Sequence, residues 1–99
     1  MRHFVVVAFA ALLNVGCTSA LDAYCGKAKE CAQKAGTAFS ETECKQNNQA
    51  DREKAASKNC ASQWDDVAGC LAGATCGSTN EQLRALCGAK SDAFNKCIN

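Results

Sequence analysis

The sequence contains no proline, one tryptophan, one tyrosine and a single histidine, His3, and its formal net charge is only +1 over 99 residues. The lack of proline excludes a collagen-like chain. The near-zero net charge excludes a strongly basic nucleic-acid-binding protein. The dipeptides Asn-Gly and Asp-Gly, which favour tight β-hairpin turns, do not occur either. The short length leaves room for one small domain rather than a multidomain enzyme.

Cysteine is abundant, with nine residues in this short chain. That frequency is typical of exported proteins whose fold is held by disulfides. Because nine is odd, at least one cysteine has a different fate from the others.

The N-terminus has the pattern of a signal peptide, which we assign to residues 1–16. Arg2 supplies a positive charge, and residues 4–13 form an uncharged apolar run of ten residues. A membrane-spanning helix needs about 20 apolar residues, so the run predicts a removable leader instead.

The residues that follow, Val15-Gly16-Cys17, resemble the lipobox of bacterial lipoproteins. The resemblance implies cleavage after Gly16 and attachment of a diacylglyceryl group, with fatty acyl chains such as palmitate, to the Cys17 thiol. The membrane would then be a partner, and Thr18 in place of an aspartate retention signal favours the outer membrane of a two-membrane bacterium. The alternative is cleavage after Ala20, which would release a secreted protein. Both readings leave eight cysteines in the body of the chain.

Removal of the leader takes away Arg2 and His3, so ten basic residues face ten acidic ones and no histidine remains. Without histidine, Ser-His-Asp and Cys-His catalysis and the common Cys/His zinc sites are excluded. Asp65 and Asp66 are neighbours in sequence and point about 100° apart on a helix, so they do not converge. The sequence therefore predicts no catalytic residues, no cofactor, no metal site and no nucleic-acid partner.

The body of the chain predicts an all-α fold of three to four helices, a small disulfide-stapled bundle of helical hairpins. Residues 17–20 are expected to be a short tether and residues 21–99 the domain. The first helix is predicted over residues 21–35 and ends at Gly36. A second helical region starts after Ser40 and extends to about residue 73, with possible breaks at residues 47–49 and at Asn59. A third starts with a capping box over residues 78–81.

Large apolar side chains are few in the body of the chain, so its core is expected to be thin. Helical spacing places the aromatic residues Trp64 and Phe94 in that core rather than in a recognition patch. The complete set is Leu21, Tyr24, Phe39, Trp64, Val67, Leu71, Leu83, Leu86, Phe94 and Ile98.

Cysteine spacing predicts which residues pair. Two antiparallel helices that turn at residues 78–79 bring together residues equally far from the turn, and this holds for Cys70 with Cys87 and for Cys60 with Cys97. The same reasoning around residues 36–39 pairs Cys31 with Cys44, and elimination leaves Cys25 with Cys76. Sequence alone does not fix the connectivity, since eight cysteines allow 105 pairings.

The two nine-residue intervals, within residues 60–70 and 87–97, resemble the twin CX9C helical hairpin. More broadly, the chain resembles the small cysteine-rich lipoproteins of bacteria. These resemblances imply a non-enzymatic module of the cell envelope with a binding or structural role and an unknown protein or envelope partner. The alternative function is thiol chemistry in the envelope, either disulfide exchange or binding of soft metals through thiolates. No two cysteines are closer than six positions, so the Cys-x-x-Cys motif of thioredoxin-like proteins is missing.

Overall fold

The computed structural model describes residues 19–99, and in this part of the chain it contains four α-helices and no strand. The predicted all-α fold is therefore confirmed. The signal peptide, Cys17 and the start of the predicted tether lie outside the described residues. In chain order the helices are α1 (Ala20–Ala35), α2 (Glu41–Ser57), α3 (Ala61–Ala72) and α4 (Asn80–Ile98).

Helix α1 starts one residue before its predicted beginning, because Ser19 caps it. The Ser19 hydroxyl accepts a hydrogen bond of 3.1 Å from the backbone N–H of Asp22. This satisfies one of the free donors of the first turn. Ala20 therefore belongs to the helix and not to the tether. The helix ends as predicted at Gly36, which has a left-handed φ of 72° that glycine adopts without strain.

The second helical region is broken once, at Asn59. This residue has a φ of 61°, and asparagine is among the few residues that tolerate the left-handed conformation. The predicted break at Asn59 is confirmed, whereas residues 47–49 continue α2 without interruption. At the start of α2, the Ser40 hydroxyl accepts a hydrogen bond from the Glu43 N–H, as expected for the cap predicted there.

Helix α4 starts one residue later than its predicted capping box implies. Thr79, rather than Ser78, is the N-cap, and its side chain accepts from the Gln82 N–H at 3.1 Å. The Gln82 side chain accepts in return from the Thr79 N–H at 2.8 Å. The Ser78 hydroxyl instead donates a hydrogen bond to the Thr75 carbonyl in the preceding turn. Its side chain is therefore not available to cap α4.

Four disulfides connect the helices. The predicted pairs between α4 and the α3 region are present, but the two predicted pairs that involve the first helix are wrong. Cys31 does not bond to Cys44, nor Cys25 to Cys76. The observed bridges are Cys25–Cys44, Cys31–Cys76, Cys60–Cys97 and Cys70–Cys87.

The incorrect pairs result from an offset between α1 and α2. The connection over residues 36–40 contains no helix or strand, so its five residues can span up to about 16 Å and run back along α1. The start of α2 therefore lies beside the middle of α1, where Cys44 meets Cys25 rather than Cys31. Cys25 and Cys31 are six residues apart, which on a helix is one full turn plus about 240°. The two side chains therefore point in different directions and face different neighbours. Cys31 thus faces the loop that contains Cys76.

Disulfides divide the four helices into two hairpins, and the hairpins pack against each other mainly through α1 and α3. Helix α1 packs against α2 and α3, and α3 packs against α2 and α4. Ion pairs between α1 and α2 have the same offset as their disulfide, with Lys29 Nζ 3.4 Å from Glu41 Oε1 and Lys45 Nζ 3.6 Å from Asp22 Oδ1. We call α1–α2 the first hairpin and α3–α4 the second.

The core contains cysteines and alanines instead of large side chains. Its buried residues are Cys25, Ala55, Cys60, Ala68, Ala74 and Cys87. Trp64 and Phe94 are only partly buried, and Leu86 is 56% exposed. The expectation of an aromatic core is therefore wrong. Bridges draw the helix backbones to Cα–Cα distances of 5.3–5.9 Å at the cysteines, which favours small side chains beside them.

Within residues 19–99, no helix combines the length and the hydrophobicity that a membrane-spanning segment requires.

Candidate functional site

An apolar cleft of about 140 Å³ lies between the two hairpins. All four helices contribute to it, because α1 and α2 supply one wall and α3 and α4 supply the other. Three of its residues are aromatic, one from each of α1, α3 and α4. The lining residues are Tyr24, Asn48, Trp64, Val67, Ala68, Leu71 and Phe94. We call this the aromatic cleft.

The side-chain spacing on α3 explains how one short helix forms most of the cleft. Trp64, Val67, Ala68 and Leu71 follow at intervals of three and four residues, so they share one face. Ala68 is 5% exposed and is the buried residue of this face. Its small side chain leaves the space that the aromatic rings surround.

Asn48 is the polar residue that enters the cleft from α2. Its side-chain nitrogen donates a hydrogen bond of 2.8 Å to the Cys44 carbonyl one turn earlier, and it lies 3.5 Å from Cys44 Sγ. The Cys25–Cys44 bridge therefore helps to position this amide. In the sequence, Asn48 stands out only as part of the predicted break at residues 47–49. Its spacing of four residues from Cys44 was the available signal.

The size of the cleft limits its possible ligands. Sites for drug-sized molecules have volumes of roughly 300–1,000 Å³. An apolar cavity of about 150 Å³ holds one benzene ring. The aromatic cleft therefore accommodates a single ring or a group of similar size, and Tyr24 and Asn48 offer it hydrogen-bonding groups.

Arg52 and Asp65 connect the hairpins next to the α2–α3 junction. Arg52 Nε and Nη2 donate hydrogen bonds of 2.8 and 2.9 Å to the two carboxylate oxygens of Asp65. The hydrogen bond from Arg52 lowers the pKa of Asp65 below its usual value, and the same bond raises the pKa of Arg52. Both side chains are more than one-third exposed, so solvent screens the pair and its net contribution to stability is about 1 kcal/mol or less.

Asp66 and Glu41 do not form a site with Asp65. Asp66 is exposed, whereas Asp65 is held by Arg52, so the two carboxylates do not converge. Glu41 pairs with Lys29 across the first hairpin and with Lys45 one turn later on its own helix. In the part of the chain that the structure describes, no group of three or more candidate ligands is placed to hold a metal ion.

All eight cysteines of residues 19–99 are in disulfides. In this oxidised state they carry no thiolate for soft-metal binding. Cys17, the predicted lipidation site, lies outside the described residues. The chain matches no family model, no curated protein and no solved structure.

Proposed function

We propose that the protein is an exported, non-enzymatic module of the bacterial cell envelope that is anchored through a lipid on Cys17 and binds a partner. The observation that carries the proposal is the set of four disulfides, which consumes every cysteine from residue 19 onwards. Disulfides of this number form and persist in oxidising compartments outside the cytoplasm.

The cap of α1 supports processing before Cys17 over processing after Ala20. Cleavage after Ala20 would remove Ser19, whose hydroxyl caps the helix, and the first helical residue with it. Loss of a serine N-cap typically costs about 1 kcal/mol. Processing before Cys17 leaves the cap intact and places the acylated residue only three positions before the start of α1.

The anchor predicts a Cys17-dependent location. In a two-membrane bacterium, we expect the full chain to fractionate with membranes and its intact mass to start at Cys17 with the added acyl groups. The Cys17→Ser variant should lose the lipid mass and leave the membrane fraction, because a diacyl group buries many methylenes at about 0.8 kcal/mol each.

The matched control is Thr18→Ser, which keeps the cysteine and should remain acylated and membrane-bound. An unacylated wild-type protein that starts at Leu21 in the soluble fraction would refute the anchor and establish the secreted alternative.

The binding role is assigned to the aromatic cleft. Its three aromatic residues, its apolar α3 wall and its volume suit one apolar ring. Aromatic pairs contribute about 0.5–1.5 kcal/mol beyond simple burial. A ring of this kind occurs both in small molecules and as an aromatic side chain of a protein partner, and both sources share the chemistry that the cleft recognises.

Binding can be measured directly because Trp64 is the only tryptophan of the chain. We expect p-cresol to change Trp64 fluorescence saturably, with a Kd of about a millimolar or below, as suits a ligand of about eight heavy atoms. N-acetylphenylalaninamide tests whether a ring attached to a peptide backbone enters equally well.

A variant that fills the cleft should abolish this response. Ala68→Leu adds three carbons where the ring would lie, and we expect at least about a tenfold weaker affinity. Ala85→Leu makes the same change at an exposed position of α4 and is the matched control. Equal responses from the two variants would contradict binding in the cleft.

A further inference from the structure

The four disulfides divide into two groups by what they connect. Cys25–Cys44 lies within the first hairpin. Two bridges reinforce the second hairpin, one at each end of α3: Cys60–Cys97 and Cys70–Cys87.

Cys31–Cys76 connects the first hairpin to the loop of the second, across a sequence separation of 45. It is the one disulfide of residues 19–99 that crosslinks the two hairpins. Without it, the hairpins are covalently joined only through the α2–α3 junction at Asn59. We call Cys31–Cys76 the clasp.

The clasp also differs from the other bridges in burial. Each of the other three contains one buried cysteine, with Cys25 and Cys60 0% exposed and Cys87 4% exposed. Neither Cys31 nor Cys76 is buried.

Burial matters for both partners in thiol–disulfide exchange. The attacking thiolate must reach one sulfur, and the other sulfur must leave as a thiolate. In the three other bridges, an attack on the accessible sulfur expels a buried thiolate, which leaves slowly because burial disfavours its negative charge. At the clasp both sulfurs are reachable, and either can leave into solvent.

The net charge beside the clasp is positive. Lys27 and Lys34 lie one turn before and one turn after Cys31 on α1, and each places its ammonium nitrogen 3.6 Å from Glu30 Oε2. Two lysines around one glutamate leave a local charge of +1. Positive charge lowers the pKa of a nearby thiol and attracts an incoming thiolate.

Glu30 has the opposite effect on Cys76. Its Oε2 lies 3.8 Å from Cys76 Sγ, so its negative charge repels a thiolate at that sulfur. After reduction the Cys76 thiol can donate a hydrogen bond to this carboxylate, which favours the protonated product. The leaving thiolate is therefore expected to be Cys31.

A cleft of about 320 Å³ gives access to the clasp. It lies between α1, α3 and the loop over residues 73–79, and both Cys31 and Cys76 line it together with Lys27. Tyr24, Leu71 and Leu83 provide apolar surface in the same cleft. The sulfurs are thus accessible from a concave surface that can hold a thiol-bearing group.

We propose that the clasp is a thiol-exchange site at which an extracytoplasmic dithiol reductant opens the connection between the hairpins. One thiolate of the reductant attacks Cys76 Sγ, a mixed disulfide forms, and Cys31 leaves as a thiolate that takes up a proton. The second thiol of the reductant, after losing its proton, attacks the reductant's own sulfur in the mixed disulfide and releases Cys76. The protein gains two electrons and two protons, and the reductant becomes a disulfide. The proposal is independent of acylation at Cys17.

The first test is the order of reduction in the purified oxidised protein. We expect limiting dithiothreitol at neutral pH, followed by iodoacetamide and peptide mapping, to label Cys31 and Cys76 first, at least about fivefold faster than any other pair. The singly reduced, alkylated protein should keep its helical circular dichroism, because each hairpin retains its own bridge. First labelling of another pair, or simultaneous labelling of all eight cysteines, would overturn the proposal.

The second test uses paired charge variants on α1, at the exposed Glu30 and Lys34 and the half-buried Lys27. Glu30→Gln removes the repulsion and should speed opening of the clasp about two- to fivefold, whereas Lys27→Met combined with Lys34→Met should slow it by a similar factor. The other three bridges are internal controls whose rates should not change. Equal rates in all variants, or the same shift at every bridge, would show that the lysines and Glu30 do not act at the clasp.

Discussion

Complete reduction of the four disulfides is expected to unfold the protein at room temperature. Within residues 19–99, the core is made of cysteines and alanines, and no fully buried side chain is larger than cysteine. Burial of such small groups does not offset the entropy of ordering about 80 residues. The bridges close loops with sequence separations of 17 to 45, and each contributes about 3–4 kcal/mol in the chain-entropy description.

Four contributions of this size match or exceed the 5–15 kcal/mol by which typical domains are stable. Far-ultraviolet circular dichroism should therefore show loss of most helical signal in excess tris(2-carboxyethyl)phosphine, and the cooperative thermal transition should disappear. Oxidised protein treated with iodoacetamide alone is the control and should remain folded. A reduced, alkylated protein that still melts cooperatively would show that helix packing suffices.

Removal of the Cys60–Cys97 bridge is expected to destabilise the protein more than removal of the clasp. Chain entropy alone predicts nearly equal losses of about 4 kcal/mol for both, because the loops are of similar length. The two bridges differ in burial, and this difference decides which loss of stability is larger. Cys60 is fully buried, so its replacement by alanine also removes packed atoms, at about 1 kcal/mol or more.

The same bridge holds the end of α4. The Lys58 ammonium donates a hydrogen bond of 3.2 Å to the Ile98 carbonyl in the last turn, beside Cys97, and this contact should be lost with the bridge. Urea titrations of the Cys60→Ala/Cys97→Ala and Cys31→Ala/Cys76→Ala variants measure the comparison. A larger loss of unfolding free energy in the clasp variant would mean that loop length outweighs burial.

Local signals in the sequence were sufficient to predict a helix boundary where the backbone conformation of a single residue determines it. Gly36 ends α1 and Asn59 separates α2 from α3, because each occupies a left-handed backbone conformation that few residues tolerate. The two pairs of the second hairpin were also predictable, since Cys70 and Cys87 are equally far from residues 78–79, immediately before α4.

Interactions between distant elements were not predictable in the same way. The register of α1 against α2 depends on how far the connection over residues 36–40 runs back along α1, and the residue types of that segment do not predict this distance. The aromatic cleft depends on that register as well, since it needs Asn48 and Tyr24 opposite Trp64. Helical periodicity identified the face on which Trp64 lies but not whether another large side chain fills the space in front of it.

The cysteine-and-alanine core has a consequence for how this fold diverges over evolution. Few positions other than the cysteines, the buried alanines, the capping residues and the left-handed junctions demand a particular side chain, so substitutions over most of the surface should accumulate freely. Descendants of a common ancestor would then lose overall sequence identity quickly while keeping the order and spacing of their eight paired cysteines. That spacing, rather than average similarity along the chain, is the character by which homologues of this protein should be sought.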